Sequence, residues 1–440
     1  MKFLFRFRVA ALCALGCVFL ALLASVGPVQ RAIGQGMQQI TNLVGTEQIS
    51  LNYPCTVSCF VTSQTLVSYG LSITGGNNEN ALVGGDATTN LFQRGTSVAL
   101  ASPAAVAYTA DRWFAWGGTS TPVTVTKQTG STDIFSGYGA TFRVNKPSGA
   151  GVVQICIGQE VETVNSIRFQ GQVAEFDIHA KAGAGFSAAS NNLAIYVLTG
   201  TGTDEGSVNG AFSINGGGGG ASGWTGAAVL GGTTGYLVPI TTGFARYTVA
   251  FPIPATATEI AVAVCYTPVG TGGATDWFEF TGAQLVPNVS LTTVAGANGA
   301  VLAANAGNAR AFLRRPIGVE TDLQQRYTYA INEGTITAGS IILAGGTALG
   351  TTTTCSIAVR FPTTMRAAPT YTNALSATTF KIVSASQSAT ALSTPFSATL
   401  GANTPYNASI NFTTTGMTAK DGCELVSAAG SGQMLWSAEL

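Results

Sequence analysis

Over most of the chain, apolar and polar residues alternate with period two, the pattern of a strand with one buried face. Residues 123–127, 140–144, 151–157, 173–178, 193–198, 244–251, 260–266 and 277–281 carry strand patterns, and Gly or Pro turns fall between them. Eight such runs within 91–290 predict a two-sheet β-sandwich of jelly-roll type. A second series, at 340–344, 355–361, 370–371, 380–383, 397–400 and 409–412, predicts a smaller β-sandwich over 331–440. The joining stretch, 291–330, is Ala-rich with Gly and Asn breaks. Pro316 closes its irregular part, and 320–327 favours a short helix. Ahead of the first sandwich, 37–90 reads as a small head. There 48–53 and 59–62 alternate, 62–67 opens like a helix with Ser or Thr as N-cap, and 75–80 and 84–86 are turn signals. The head is too short for a robust core by itself. The fold class is mostly β: a short N-terminal head, a jelly-roll-type β-sandwich, a connector and a second, smaller C-terminal β-sandwich.

Residues 1–36 stand outside this pattern. Positions 9–26 form an uncharged apolar run of 18 residues behind Lys2, Arg6 and Arg8. A basic flank before an apolar stretch reads as a secretory signal. The same run reaches the lower limit of a membrane span, with its basic end cytoplasmic. In an assembled particle it would instead be a helix buried between subunits. Met37, after Gly34-Gln35-Gly36, looks like a natural start.

Composition narrows the function classes. Charged residues make up only 9% of the chain, against about 25% in an ordinary soluble domain, and 20 Lys and Arg balance 20 Asp and Glu. This balance lacks the basic footprint of a nucleic-acid binder and the charge excess of a disordered tail. With 55 Gly and abundant Thr, Ala and Ser, the chain suits an extracellular type of β protein with Gly-rich turns. So few charges point to assembly into something larger. The single histidine, His179, excludes zinc sites built on two or three histidines. Any Ser-His-Asp triad would have to pass through it; its alternating context reads as a histidine on a polar strand face.

The eight cysteines show no paired zinc spacing. Cys13 and Cys17 lie in the apolar run, and Cys55 with Cys59 is a lone pair compatible with a local disulfide. Cys156 and Cys265 sit mid-strand and read as core thiols. Cys355 and Cys423 either pair in the last domain or are buried singly. The Gly-rich run 216–223 is followed by neither the Lys-Ser/Thr nor the helix of a phosphate cradle, and reads as a flexible loop. No metal or cofactor motif is recognised.

Asn90-Leu91-Phe92-Gln93-Arg94-Gly95-Thr96, followed by Tyr108-Thr109-Ala110-Asp111-Arg112-Trp113, marks the entry to the first sandwich. Together these segments resemble the opening of a family of bacteriophage virion and tail-fibre proteins, which runs approximately Asn-x-x-Phe-x-x-Trp-Gln-Arg-Gly-Thr and then Tyr-x-Ala-Asp-Arg-Trp. Later pieces agree in order and spacing: 277–285 with Ala283-Gln284-Leu285, Phe312-Leu313-Arg314-Arg315-Pro316, 320–327 ending in Gln325-Arg326-Tyr327, and 359–370 with Phe361-Pro362 and Met365-Arg366-Ala367. The resemblance spans roughly residues 88–375. The chain departs from the pattern where the Trp before Gln93 is missing, where Gln324 replaces a Cys, where Thr328 replaces a second Tyr, and in an insertion over 288–311.

The resemblance implies a carbohydrate-binding-like jelly roll within a virion structural protein, a tail fibre or appendage. Its head would dock on other virion proteins (portal, adaptor or tail), its β domains would meet host surface polysaccharide, and it would work as a homotrimer. A bacterial envelope protein that binds surface glycan, exported or anchored through residues 9–26, is the alternative. Sugar sites stack ring faces on aromatics and orient them with a few polar groups. Trp224, just after the Gly-rich run, leads the candidate contacts, with Trp116 and Tyr138. Trp113 and Trp277 read as core, and Asp111 with Arg112 as a structural ion pair beside Trp113. A glycosidase would need paired carboxylates. Glu175 with Asp177, and Glu160 with Glu162, lie two apart on one strand face, which a solvated edge also gives. No catalytic motif accompanies them, and the expectation is a protein that is not an enzyme.

Overall fold

The computed structural model describes residues 48–50, 60–62, 79–89, 92–100, 107–117, 123–130, 137–146, 154–206, 224–270, 273–287, 300–302, 310–332, 342–348, 354–371, 380–384, 387–391, 399–400, 403–413, 419–427 and 433–440. The apolar run 9–26, Met37, Cys13, Cys17, Cys55, Cys59 and the Gly-rich run 216–223 lie outside them. The chain divides into two compact units, 1–76 and 77–440. In the first, Gln48–Ser50 pairs antiparallel with Phe60–Thr62.

The second unit opens with a sandwich of two seven-stranded sheets. Sheet I runs in the order Ala300–Leu302, Ala245–Pro252, Val173–Ala182, Trp277–Pro287, Thr141–Asn145, Val123–Gln128 and Ser97–Leu100. Sheet II runs Ala228–Leu230, Asn192–Gly200, Glu259–Tyr266, Ile155–Val161, Phe114–Gly117 and Ala107–Tyr108, with Tyr236–Pro239 also on Asn192–Gly200. The alternation decides which side chains enter the core. Along Val173–Ala182, Ala174, Phe176, Ile178, Ala180 and Ala182 face sheet II, while Glu175, Asp177, His179 and Lys181 fall on the opposite face. Phe92, Trp113, Phe142 and Phe280 form the aromatic centre, with neighbouring ring centroids 5.0–5.5 Å apart. Fully burying each such ring stabilises the fold by about 1.5–3 kcal/mol.

Residues 79–89, expected in the head, belong to this sandwich. Leu82 and Ala87 join its core, and the Asn80 carboxamide bonds Ala283 O at 2.9 Å, Leu82 N at 3.0 Å and Leu285 N at 2.9 Å. The crossing falls at a bulge in Trp277–Pro287, where the register shifts between Thr281 and Gln284. Gly282 takes φ 62° there, and a side chain on it would strike Tyr138, so the turn requires glycine.

The C-terminal β domain pairs Thr328–Asn332 and Thr370–Tyr371 on either side of Gln433–Ser437, beside a seven-stranded sheet from Gln387–Ala391 to Thr399–Leu400. Tyr329, Phe361 and Tyr371 surround Trp436 at 5.6–5.9 Å. The helix expected at 320–327 spans Ile317–Gln325. Among the described residues two disulfides form, Cys355–Cys423 and Cys156–Cys265. The second corrects the reading of Cys156 and Cys265 as core thiols: both face outward from sheet II on adjacent antiparallel strands, directly opposite each other.

Candidate functional site

Of the aromatic candidates from the sequence, Trp116 and Trp224 come together and Tyr138 lies apart from them. Trp116 and Trp224 lie on the outer face of sheet II in a buried cluster with Phe114, Tyr196, Leu198 and the Cys156–Cys265 bridge. Trp224, expected at the surface, is only 5% exposed; a Cβ on Gly200 would meet its Cε3 at 3.0 Å, so the missing side chain there is what seats the indole. Tyr138 lies on the outer face of sheet I and is also buried. Its ring sits 5.4 Å from both His179 and Phe312, with the Arg314 guanidinium 5.3 Å away. Burial pushes its hydroxyl up to about 12, so it acts only as a neutral donor or acceptor.

Trp277, expected in the core, is half-buried on that same outer face. Alternation turns Phe278 and Phe280 inward and Trp277 and Glu279 outward. The indole lies against Gly183, with the Arg143 guanidinium 4.1 Å from its centroid and Lys181 Nζ at 5.5 Å. Arg143 and Lys181 both pair with the fully buried Glu279, Lys181 at 3.1 Å. Register explains the set, because Glu279 stands opposite Arg143 on one side and Lys181 on the other. This Trp277–Arg143–Glu279–Lys181 group offers an aromatic edge and oriented N–H donors in one place, which suits hydroxyl-rich or anionic ligands. The sequence carried its signal as outward-facing charges in two neighbouring strands, but only the register brings them together. His179 follows in the same face; burial, then the nearby Arg246 charge, lowers its pKa to about 4, so it is neutral at ordinary pH.

The other half of this face is covered. Residues 310–313 cross it as an extended strap held by its main chain: Arg310 N donates to Glu175 at 2.8 Å, Leu313 N to Gln284 Oε1 at 2.7 Å, Gln284 Nε2 to Ala311 O at 3.2 Å, and Arg246 to Arg310 O. Beneath it, Glu175 and Asp177 are buried against Arg246 and Thr248. They do not form a solvated edge. Desolvation, then the hydrogen bond and charge of Glu175, push Asp177 up to about 8. Glu160 and Glu162 are buried as well.

Asp111, Arg112 and Trp113 join the sandwich to the C-terminal domain. Trp113 is wholly buried and donates from its indole to Gly84 O at 3.2 Å. Asp111 and Arg112 do not pair with one another. Asp111 accepts from Gln93 N at 3.0 Å and Gln93 Nε2 at 3.3 Å, and burial pushes it up to about 6. Arg112, at φ 67°, turns its side chain the other way. It pairs with Glu439 at 2.8 Å, donates to Glu160 O and lies 3.9 Å from the Tyr327 ring centroid. Gln93 bridges onward to Thr328 O and to Ala330 N, the latter at 3.1 Å. Arg94 reaches Thr328 Oγ1 at 3.1 Å and Ser437 Oγ at 2.9 Å.

The described residues of 77–440 thus form a β-sandwich and further β-sheets, and the outer face of sheet I is polar, aromatic and half-open. No protein-family model matches the chain, and no curated protein does. Among solved structures it is similar to the enzymatically active domain of bacteriophage CBA120 tailspike protein 4 (11% identity, TM-score 0.28, 47% of this chain and 21% of that one). It is also similar to a xylan-binding domain from CBM 22 (12% identity, TM-score 0.25, 42% and 95%), and to TmCBM27, a carbohydrate-binding module that recognises mannan (12%, TM-score 0.23, 44% and 99%). The chain therefore spans about a fifth of the tailspike chain.

Proposed function

We propose that this protein is a surface adhesin of a phage particle, a fibre or appendage subunit that meets host polysaccharide through the outer face of sheet I. The observation that supports it is the Trp277–Arg143–Glu279–Lys181 group, held rigid by its own ion pairs on a broad sheet face. Such a surface recognises sugars by contact with an aromatic and by fixed donors. The sequence resemblance to virion and tail-fibre proteins, together with the low charge, supports placement on a virion as an oligomer, docked through the head. The test is binding of the full chain to purified host surface polysaccharide. Trp277→Ala and Arg143→Ala are expected to weaken it at least tenfold with the fold intact. Binding that is unchanged in both variants would move the site elsewhere, and a strict monomer that binds no polysaccharide would sink the reading.

A second reading is a bacterial envelope protein exported through residues 9–26. The apolar run 9–26 behind its basic flank supports it, and the disulfides among the described residues are compatible with it as they are with a virion surface. Mass spectrometry of purified particles against envelope fractions separates the two. Intact chain in particles supports the virion, and chain confined to membrane or periplasm supports export.

A further inference from the structure

Lys181, Glu279 and Arg143 stand in one row across three neighbouring strands of sheet I, with Glu279 between the two cations. Their depths differ. The Glu279 side chain is 0% exposed, that of Lys181 8% and that of Arg143 25%. The carboxylate therefore lies at the bottom of the group and the cations lie above it. Two formal positive charges against one negative leave a surplus of one, and it is on the outward side. The chain as a whole has few charges, and they balance. Lys181 Nζ is framed by two half-buried rings, with the Phe244 centroid at 4.9 Å and the Trp277 centroid at 5.5 Å. The Arg143 guanidinium lies 4.1 Å from the Trp277 centroid, so on that side a ligand meets a cation and not a bare ring. Thr126 stands opposite Arg143 on the next strand, and Asn145 opposite Trp277; both are half-buried. From Lys181 to Thr126 is three strand spacings, about 14 Å, which is longer than a single sugar ring. Other carboxylates on or next to these strands are engaged elsewhere. Asp276 accepts from Ser187 N at 3.1 Å and Ser187 Oγ at 2.7 Å, and Glu175 and Asp177 lie beneath the strap.

We infer, on the reading of this face as a glycan site, that its ligand is an acidic polysaccharide, and that an anionic group of the polymer, carboxylate or sulfate, lies against Arg143 and Lys181 beside the Trp277 and Phe244 rings. Hydrogen bonds to an ionised acceptor are roughly twice as strong as neutral ones, and an anion on the sugar also meets the surplus positive charge. A neutral sugar reaches the same donors but gains only the weaker bonds. Glu279 holds both cations in place before any ligand arrives, so binding costs little side-chain freedom. The planar guanidinium matches the two oxygens of a carboxylate, and the Lys181 ammonium adds a point charge. The Thr126 hydroxyl and the Asn145 carboxamide are placed to meet the hydroxyls of the same polymer. The acidic group and the aromatic edge are therefore read together, which selects a charged polymer over a neutral one of the same backbone.

The test is binding of the full chain to immobilised polygalacturonate, alginate and hyaluronate, each beside its carboxyl-reduced form, with dextran sulfate beside dextran. At least one acidic polymer is expected to bind tenfold or more tighter than its neutral partner, with the difference shrinking as salt rises. Preference within the carboxylate pairs or within the sulfate pair shows which anion the site takes. Arg143→Gln and Lys181→Gln should each cut the preference at least fivefold, and Arg143→Lys, which keeps the charge, should retain more of it than Arg143→Gln. Arg143 is the more exposed of the two cations, so Arg143→Gln decides the matter if Lys181→Gln fails to fold. A preference that survives in Arg143→Gln comes from charges elsewhere and overturns the inference. Binding to none of the acidic polymers overturns it as well. Equal binding to native and reduced polymers, lost in Trp277→Ala, overturns the acidic ligand and leaves the glycan site standing.

Discussion

Arg112→Met keeps the aliphatic stem and removes the guanidinium. Three contacts go with it: Glu439 Oε2 at 2.8 Å, Glu160 O, and the Tyr327 ring at 3.9 Å. Glu439 is not wholly stranded, since Thr328 Oγ1 still donates to it at 2.7 Å and Arg94 stands at 3.5 Å. Breaking a buried ion pair costs about 3–5 kcal/mol, and the remaining partners put this case at the low end, about 3 kcal/mol. Removing both charges, in Arg112→Met with Glu439→Leu, leaves no isolated carboxylate, so part of the loss returns, with a coupling of about 1–3 kcal/mol. Burial raises the Glu439 pKa, but the Arg112 and Arg94 charges outweigh it and hold the group below its ordinary value. Its contribution is therefore present above the unfolded value of about 4.3 and lost as pH falls through the lower folded pKa; Arg112→Met should shrink that acid loss. Urea unfolding of the four chains of the cycle, followed by tryptophan fluorescence, measures all of this. A loss below about 0.5 kcal/mol in the single variant, or strictly additive single variants, would refute the claim that this pair couples the two domains.

Three further outcomes concern contacts elsewhere in the sandwich. Gln284→Leu leaves Ala311 O and Leu313 N without the partners they now have; it should cost about 1–3 kcal/mol and speed amide exchange at Leu313. Asp177 has its pKa raised to about 8 by desolvation and by Glu175, so the folded state holds a proton that the unfolded state has released. Its contribution to stability is thus fully present below about pH 4 and declines as pH rises to about 8; Asp177→Asn should flatten that decline in Tm measured from pH 4 to 9. Breaking the Cys156–Cys265 bridge, which closes a sequence separation of 109, by the double Ala variant should cost about 2–4 kcal/mol, read as a Tm difference that vanishes when wild type is reduced.

Strands were legible because one face of each is buried, and the period-two signal is a direct record of that. Val173–Ala182 shows how far this goes: the alternation gave both the strand and the inward set Phe176 and Ile178. It could not give the fate of the outward set. Glu175 and Asp177 look like a solvated edge until residues 310–313, more than a hundred positions later, are laid over them. Trp224 misled for a related reason, since a Gly-rich neighbour in sequence says nothing about Gly200, the neighbour in space. The mid-strand cysteines were read as thiols because pairing depends on register, and only the alignment of Ile155–Val161 with Glu259–Tyr266 sets Cys156 opposite Cys265. Buried carboxamides leave no such signal. Asn80, Gln93, Gln159 and Gln284 each bind backbone with both donor and acceptor, yet no local pattern distinguishes such a residue from a surface amide.

The motif at the sandwich entry was prominent in the sequence, and its placement explains what it encodes. Gln93, Arg94, Asp111 and Arg112 are all consumed at the seam with Thr328, Ser437 and Glu439. The three single-residue departures fall within the same seam or beside it. Thr328 supplies hydroxyl contacts to Glu439 and Arg94, Gln324 binds Thr89 O at 3.1 Å, and the Phe92 ring packs 5.4 Å from Phe142 where a Trp would otherwise stand. The entry motif therefore transmits domain arrangement, because none of its residues contributes to the Trp277 face; within the resemblance only the 277–285 stretch, with Trp277 and Glu279, reaches that face. That face depends on Arg143, Lys181 and Glu279 in the middle of sheet I. Since the two sets sit on different parts of the sandwich, changes at one should add to changes at the other with little coupling. A relative could keep the whole entry motif and bind a different ligand.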